Sequence, residues 1–465
     1  MSTSLRRTLT QRDLVLIVVG TVIGSGIFLT PGTVVRTSGS GGMALLAWAV
    51  GGVLSLLGAL TFAELGAAKP ESGGLYAYLR DAFGPGLAFL FGWTMFLVIG
   101  SGSLATLAAA FARYATAFVP LSPLAAKLVS LGMIVAVAAL NVRGTRQSAD
   151  AHGVATMLKA GVLVALAILL IVAGTHAGTP DKIAWWPESL SLATLSGAVT
   201  GMIGVLWAYE GWQYVTYSAG ETVNPQKTFG RGIVLGTAVL IVIYVMANVG
   251  YMSALGLDGV AGSQRVASDA AALVLGPWAG KAVAALILVS IISSANGLTL
   301  TLPRLFFAMA RDRVFFAKLA TVHANFGTPA AAIIGTGLWA SVLVLSGTFE
   351  QLLTYVVFMS WLWFALAAGA IFVSRRREPA LERPFRTPGY PVTPVVFIVA
   401  ALVIVVNTVI TLPVQSLIGL GLAVLGIPAY RVWRAGIRKV TDTAEPLGDK
   451  TLRDGLDAKP TAFSR

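Results

Sequence analysis

The sequence contains no cysteine. Disulfides, thiolate nucleophiles and cysteine-bound metals are therefore excluded. Charge is scarce too: 11% of the 465 residues are Asp, Glu, Lys or Arg, against about 25% in an ordinary soluble domain. Histidine occurs three times, as His152, His176 and His323, each near the end of an apolar stretch. That leaves no histidine metal cluster and no histidine relay at mid-span. No carboxylate pair stands at i, i+3 or i+4 within a stretch either, so a membrane-embedded enzyme would lack both a nucleophile with its base and a ligand set for a metal. Neither a repeated filter motif nor a charged ring points to a channel. No metal and no cofactor is expected.

What is abundant is apolar surface. Hydrophobic residues make up 56% of the chain and the mean hydropathy is +0.80, the signature of a polytopic helical membrane protein. No alternation of the kind that lines a barrel is present. Twelve spans are expected, near 14–35, 43–66, 86–118, 123–141, 153–174, 191–217, 231–255, 279–310, 328–347, 350–374, 392–411 and 414–434. The first has no small-residue cleavage site and is longer than a signal-peptide core, so it is read as retained. The net charge of +13 reflects short basic loops rather than affinity for nucleic acid. Arg6, Arg7 and Arg12 precede the first span, and Arg143, Arg146, Lys227, Arg231, Arg311, Arg313, Lys318 and the Arg375–Arg386 cluster fall on alternate loops. By the positive-inside rule both termini are cytoplasmic. Residues 441–465 mix both charges with Pro and Gly and read as a cytoplasmic tail.

The first span is interrupted by Ile23-Gly24-Ser25-Gly26-Ile27-Phe28. Glycine inside a helix costs about 1 kcal/mol relative to alanine, and a break within a bilayer persists only where it is buried in protein or lines a cavity. A second interruption, Trp207-Ala208-Tyr209-Glu210-Gly211-Trp212, falls in span six. Interrupted segments at matching positions of two halves are the best sequence pointer to a transporter's site. On position alone, spans one to five (about 14–174) and six to ten (about 191–374) form an inverted repeat. Helices at about 392–434 are added to it, all within one transmembrane domain, 1–440.

These interruptions belong to an ordered series. It continues with Phe62-Ala63-Glu64-Leu65-Gly66, Ser72-Gly73-Gly74-Leu75-Tyr76-Ala77-Tyr78 and Gly220-Glu221-Thr222-Val223-Asn224-Pro225. Further on stand Met309-Ala310-Arg311-Asp312 and Arg383-Pro384-Phe385-Arg386-Thr387-Pro388-Gly389-Tyr390-Pro391. In this series the chain resembles the amino acid–polyamine–organocation (APC) superfamily, most closely the L-type amino acid transporter branch and its bacterial exchanger relatives. The resemblance implies an all-α LeuT-type fold, a five-plus-five inverted repeat with broken spans one and six. It also implies alternating-access transport of amino acids across a bacterial inner membrane, without sodium and by exchange. Animal members join a glycoprotein heavy chain through a cysteine that this chain lacks, so no disulfide-linked partner is expected. Its partners would be the amino acid and the lipid bilayer.

The resemblance also implies roles for residues. Backbone N–H groups of Ser25, Gly26 and Ile27 would hold the substrate carboxylate, as freed amides at a half-helix N-terminus favour an anion; Gly24 supports the break. A plainer reading of the same glycines is a close helix contact. Carbonyls of Val22, Trp207, Ala208 and Glu210 would accept from the ammonium. Trp207 fits an aromatic gate, and Trp212 and Gln213 would face the side-chain pocket. Lys159, about six residues into span five and so roughly 9 Å along it, either snorkels to the interface or is a fixed cation where sodium-coupled relatives bind sodium. Tyr244 either packs or reaches toward the carboxylate region and Lys159. Asn248 and Asn296 are candidates for interhelical hydrogen bonds, Glu64 and Arg304 for a cytoplasmic gate. The carboxylate of Glu210 keeps alternatives open: a proton-coupled symporter, or a carrier of cationic amino acids or polyamines. The leading expectation is a sodium-independent exchanger of neutral L-amino acids.

Overall fold

A computed structural model describes residue 7 and residues 9–71, 73–143, 146–173, 182–316, 319 and 328–443. Arg6, Ser72, His176, Lys318, His323 and the tail beyond 443 lie outside the described residues. The all-helical expectation is borne out: among the described residues there is no strand, only an isolated parallel bridge between Leu9 and Thr222.

The first expected span is divided into α1 (Gln11–Val22), α2 (Gly26–Leu29) and α3 (Pro31–Ser38). Thr10 starts α1 with a capping box, its hydroxyl accepting from the Asp13 N–H and its own N–H donating to the Asp13 carboxylate. Then follow α4 (Gly41–Ala68), the short α5 (Leu75–Phe83), α6 (Pro85–Thr94), a π-helical turn at Met95–Ile99 and α7 (Gly100–Ala115). Next are α8 (Pro123–Arg143), α9 (Arg146–Ala173) and α10 (Leu192–Ala208), the last running into a 3-10 segment, Trp212–Glu221. After them come α11 (Pro225–Gly262), α12 (Val266–Leu275), α13 (Pro277–Arg311), α14 (Ala330–Ser346) and α15 (Phe349–Arg377). The described chain ends with α16 (Val392–Thr411), α17 (Pro413–Val424) and α18 (Gly426–Thr443).

Proline punctuates this series. Pro31, Pro85, Pro123, Pro225, Pro277 and Pro413 each open a helix, the position where a missing N–H costs nothing. Among the described residues ten helical stretches are long and apolar enough to cross a bilayer. They fall on ten of the twelve expected spans. The other two positions hold α10 and α14, of 17 residues each. Large apolar side chains such as Val135, Leu140, Val399, Val406, Ile410 and Leu417 are exposed, as suits helices whose outward solvent is lipid. Inside, α1 packs on α9, α11, α13 and the 3-10 segment. The broken first span is thereby buried in protein, the condition a break at membrane depth requires.

Candidate functional site

The two breaks meet. Helix α1 ends at Val22 and α10 at Ala208, and each chain then unwinds for three residues before a new helical segment begins. Gly26 lies so close to α10 that an added Cβ would stand 2.3 Å from the Cα of Ala208. On the other side, Thr21 donates from its hydroxyl to the Gly211 carbonyl at 3.1 Å. Gly211 has φ +127°, a backbone conformation that favours glycine.

Around this crossing is a cavity of about 360 Å³ lined by Val22, Gly24, Ser25, Gly26, Trp207 and Glu210 from the two breaks. Thr21, Ser103, Leu107, Tyr214, Ser294 and Leu298 complete its lining. The indole N–H of Trp207 donates to the Ser25 hydroxyl at 3.2 Å, tying the two breaks across the cavity. Ser25 opens α2 with no side-chain cap, which leaves the first amides of that segment to other acceptors.

Several expected site residues stand elsewhere. Among the described residues Trp212 and Gln213 do not line the cavity. Trp212 is stacked on Phe62, ring centroids 5.4 Å apart, and packs against Phe364. Gln213 folds back on the break: its Nε2 donates to Glu210 Oε1 at 2.6 Å and its Oε1 accepts from the Gly211 N–H at 3.1 Å. The reason is the winding. After Gly211 the chain runs as a 3-10 helix with three residues per turn, and Tyr214 is the residue of that first turn that lines the cavity. The side chains of Ile27 and Ala208 are buried outside the lining.

The Tyr244 hydroxyl lies 2.9 Å from the carbonyl oxygen of Val22 and 3.1 Å from that of Ala208, the last residues of the two half-helices. It reaches the carbonyls expected to bind an ammonium, and no hydrogen bond joins it to Lys159. The Val22 carbonyl accepts from the Gly24 N–H as well, at 2.7 Å, so both its lone pairs are used.

Lys159 is 8% exposed. Its ammonium does not snorkel. It donates to the carbonyls of Gly20 at 2.5 Å and Ile23 at 2.8 Å, and to the Ser294 hydroxyl at 3.1 Å. All three protons are satisfied, and the charge sits at the carbonyl end of α1, where the helix dipole favours a cation. Ser290 and Ser294, one turn apart on α13, both donate to Ile23 as well, at 3.0 and 2.9 Å. Ser294 also lines the cavity and so links it to the lysine.

The other motifs pair off near the end of the bundle where the chain begins. Glu64, 1% exposed, accepts two bonds from Arg375 at 2.8 and 2.7 Å and one from the Thr387 N–H at 2.7 Å. Tyr76 and Arg80 both donate to Asp312, at 2.9 and 3.0 Å. Burial and the Asp312 carboxylate raise the Tyr76 phenol above its ordinary value. Burial opposes the charge of Lys69, but bonds to Glu378 and Asp81 outweigh it and raise its pKa. Arg304 grips both oxygens of Glu221. The Leu9 N–H donates to the Glu221 carbonyl at 3.0 Å, and the Val223 N–H to the Leu9 carbonyl at 2.8 Å. Asn141 donates to Asn296 at 2.7 Å between α8 and α13, whereas Asn248 bonds within its own helix, to the Tyr244 carbonyl.

Comparison with known proteins gives a consistent picture. Residues 9–425 match the family model described as amino acid permease. The chain is 31% identical over 417 residues to the serine/threonine exchanger SteT of Bacillus subtilis, covering 89% of this chain and 94% of that protein. It is 32% identical over 423 residues to the mouse b(0,+)-type amino acid transporter 1, covering 89% and 85%. To the human cystine/glutamate transporter it is 31% identical over 433 residues, covering 92% and 85%.

Proposed function

The chain belongs to the amino acid permease family, a family of integral membrane transporters and not of enzymes, and from that premise we propose that it exchanges neutral L-amino acids without sodium. The observation that carries the sodium independence is Lys159, whose ammonium satisfies the carbonyls of Gly20 and Ile23 at the break. An ammonium held by these carbonyls leaves no place for a metal ion. Exchange is supported by what SteT, its bacterial relative, is named for.

In this reading the amides of Ser25, Gly26 and Ile27 hold the substrate carboxylate. The ammonium goes to the carbonyl ends of α1 and α10, competing with the Tyr244 hydroxyl for Val22 and Ala208. Trp207 closes the site. The protein lies in a bacterial inner membrane with both termini cytoplasmic, in keeping with its basic loops. It works without a disulfide-linked heavy chain, since it has no cysteine to form one. The inverted repeats run over about 14–174 and 191–374, with helices at about 392–434 added and residues 441–465 as the tail.

The test is uptake of labelled alanine or serine into proteoliposomes that are empty, preloaded with amino acid, or under a proton gradient, each with and without sodium. Strong uptake only after preloading, indifferent to sodium and pH gradient, is expected. The buried carboxylate of Glu210 beside the cavity favours one second reading, proton-coupled symport. Uptake into empty vesicles driven by the proton gradient would establish that instead.

A further inference from the structure

Three of the cavity-lining side chains carry buried polar atoms without a well-formed hydrogen bond: Oε2 of Glu210, and the hydroxyls of Ser103 and Tyr214, which lie within reach of each other. Each residue is more than nine-tenths buried, at 7, 3 and 3% exposure. They come from three places: the span-six break, α7 and the 3-10 segment. The Glu210 carboxylate is fixed through its other oxygen by Gln213 at 2.6 Å and by Ser360 of α15 at 3.4 Å. Gln213 is itself held by the Gly211 N–H, so Oε2 is not free to turn toward either partner. A buried polar atom left unpaired is costly, and native proteins keep few of them. Three polar groups so placed on one cavity are a wall built for a polar ligand group. The ammonium and carboxylate are assigned to backbone groups of the two breaks, which leaves these three side chains to the rest of the substrate.

Resting on the amino acid exchange reading, we propose that Glu210, Ser103 and Tyr214 form a subsite for the substrate's side chain. It selects side chains that donate a hydrogen bond, a hydroxyl or a carboxamide, over aliphatic ones of the same size. When Glu210 is ionised, its free oxygen only accepts, so the ligand must donate. The two hydroxyls both donate and accept, and so serve the lone pairs of the same ligand group. An aliphatic side chain would leave Oε2 of Glu210 buried and unpaired, and this kind of mismatch discriminates far more strongly than a missing methylene.

The test uses the full-length protein in proteoliposomes preloaded with alanine, with competition against labelled alanine uptake by isosteric pairs. Serine is set against α-aminobutyrate, threonine against valine, and asparagine against leucine. Wild type is expected to prefer the polar member of at least one pair about tenfold or more. That ratio should fall toward one in Glu210→Gln, in Ser103→Ala and in Tyr214→Phe. If Glu210→Gln does not fold, the other two variants, which remove only a hydroxyl each, carry the test. Wild type that treats the isosteres alike, or variants that keep the wild-type ratio, would overturn the subsite while leaving exchange standing. Wild type that exchanges no amino acid would overturn both.

Discussion

The ammonium of Lys159 lies 2.8 Å from the carbonyl oxygen of Ile23, the first residue after α1 ends. A side chain from α9 thus completes the hydrogen bonding of a backbone that has stopped being helical. Lys159→Ala leaves the carbonyls of Gly20 and Ile23 short of a charged donor, each such bond being worth about 1.5–3 kcal/mol. Exchange should slow by roughly 10-fold to 100-fold. Lys159→Arg should not restore it, because a planar guanidinium cannot direct its protons at three acceptors arranged for a compact ammonium. Counterflow rates in proteoliposomes check both, and a wild-type rate in the alanine variant would contradict the assigned role.

The two glycines of the first break should respond differently to the same substitution. A Cβ on Gly26 meets the backbone of Ala208 at 2.3 Å, which cannot yield without parting the half-helices. On Gly24 the nearest atoms are side chains, Ser294 Oγ at 3.3 Å and Leu107 Cδ2 at 3.4 Å. Gly26→Ala is expected to abolish exchange, and Gly24→Ala to keep a measurable fraction of it. Equal loss in both, at matched surface expression, would show that the crossing of the breaks is not what Gly26 provides.

Tyr244→Phe removes the donor shared by Val22 and Ala208. The break loses a tie, yet the same carbonyls become freer to receive an ammonium. The expected result is a maximal rate lower by about fivefold to tenfold, the weight of one net hydrogen bond, with KM unchanged or reduced. A raised KM at full maximal rate would count against it.

Glu221 connects the end of the 3-10 segment to Arg304 of α13 and, through its carbonyl, to Leu9. In the proposed orientation, opening toward the cytoplasm would part these contacts. Because the chain has no cysteine, Leu298→Cys would place a single thiol on the cavity wall. Glu221→Gln and Leu9→Pro, the latter lacking the N–H that Leu9 donates, should each speed labelling of that thiol from the cytoplasmic side by several-fold. Unchanged labelling rates would exclude the latch.

Most of the helical architecture is legible in the sequence because apolar stretches, proline starts and glycine breaks act locally. The first break follows from Gly24 and Gly26 in the same way, whereas its close contact with Ala208 of span six is a matter of assembly. What was hidden depends on helical pitch. The 3-10 winding after Gly211 puts Tyr214 rather than Trp212 or Gln213 on the cavity. On the other wall a π-helical turn at Met95–Ile99 resets the register ahead of Ser103 and Leu107. No residue type announces either change. Ser290 and Ser294 carried a signal, hydroxyls one turn apart in an apolar helix, but their carbonyl partner 271 positions away from Ser294 became visible only once the helices were assembled. The scattered motifs are explained in the same way: Glu64 with Thr387, Tyr76 with Asp312 and Glu221 with Arg304 are partners across the fold.

The bridge between Leu9 and Thr222 bears on how the protein is made. Leu9 cannot dock until the sixth span has been synthesised, on the order of ten to forty seconds later at usual translation speeds. Throughout that interval the segment at Leu9 is without its Thr222 and Glu221 partners, and α9 and α11, on which α1 packs, are also still to come. Biogenesis therefore fastens the segment ahead of α1 only after the sixth span has been made. A bulky domain fused ahead of Leu9 would burden that last step, while one fused after Thr443 would leave it untouched.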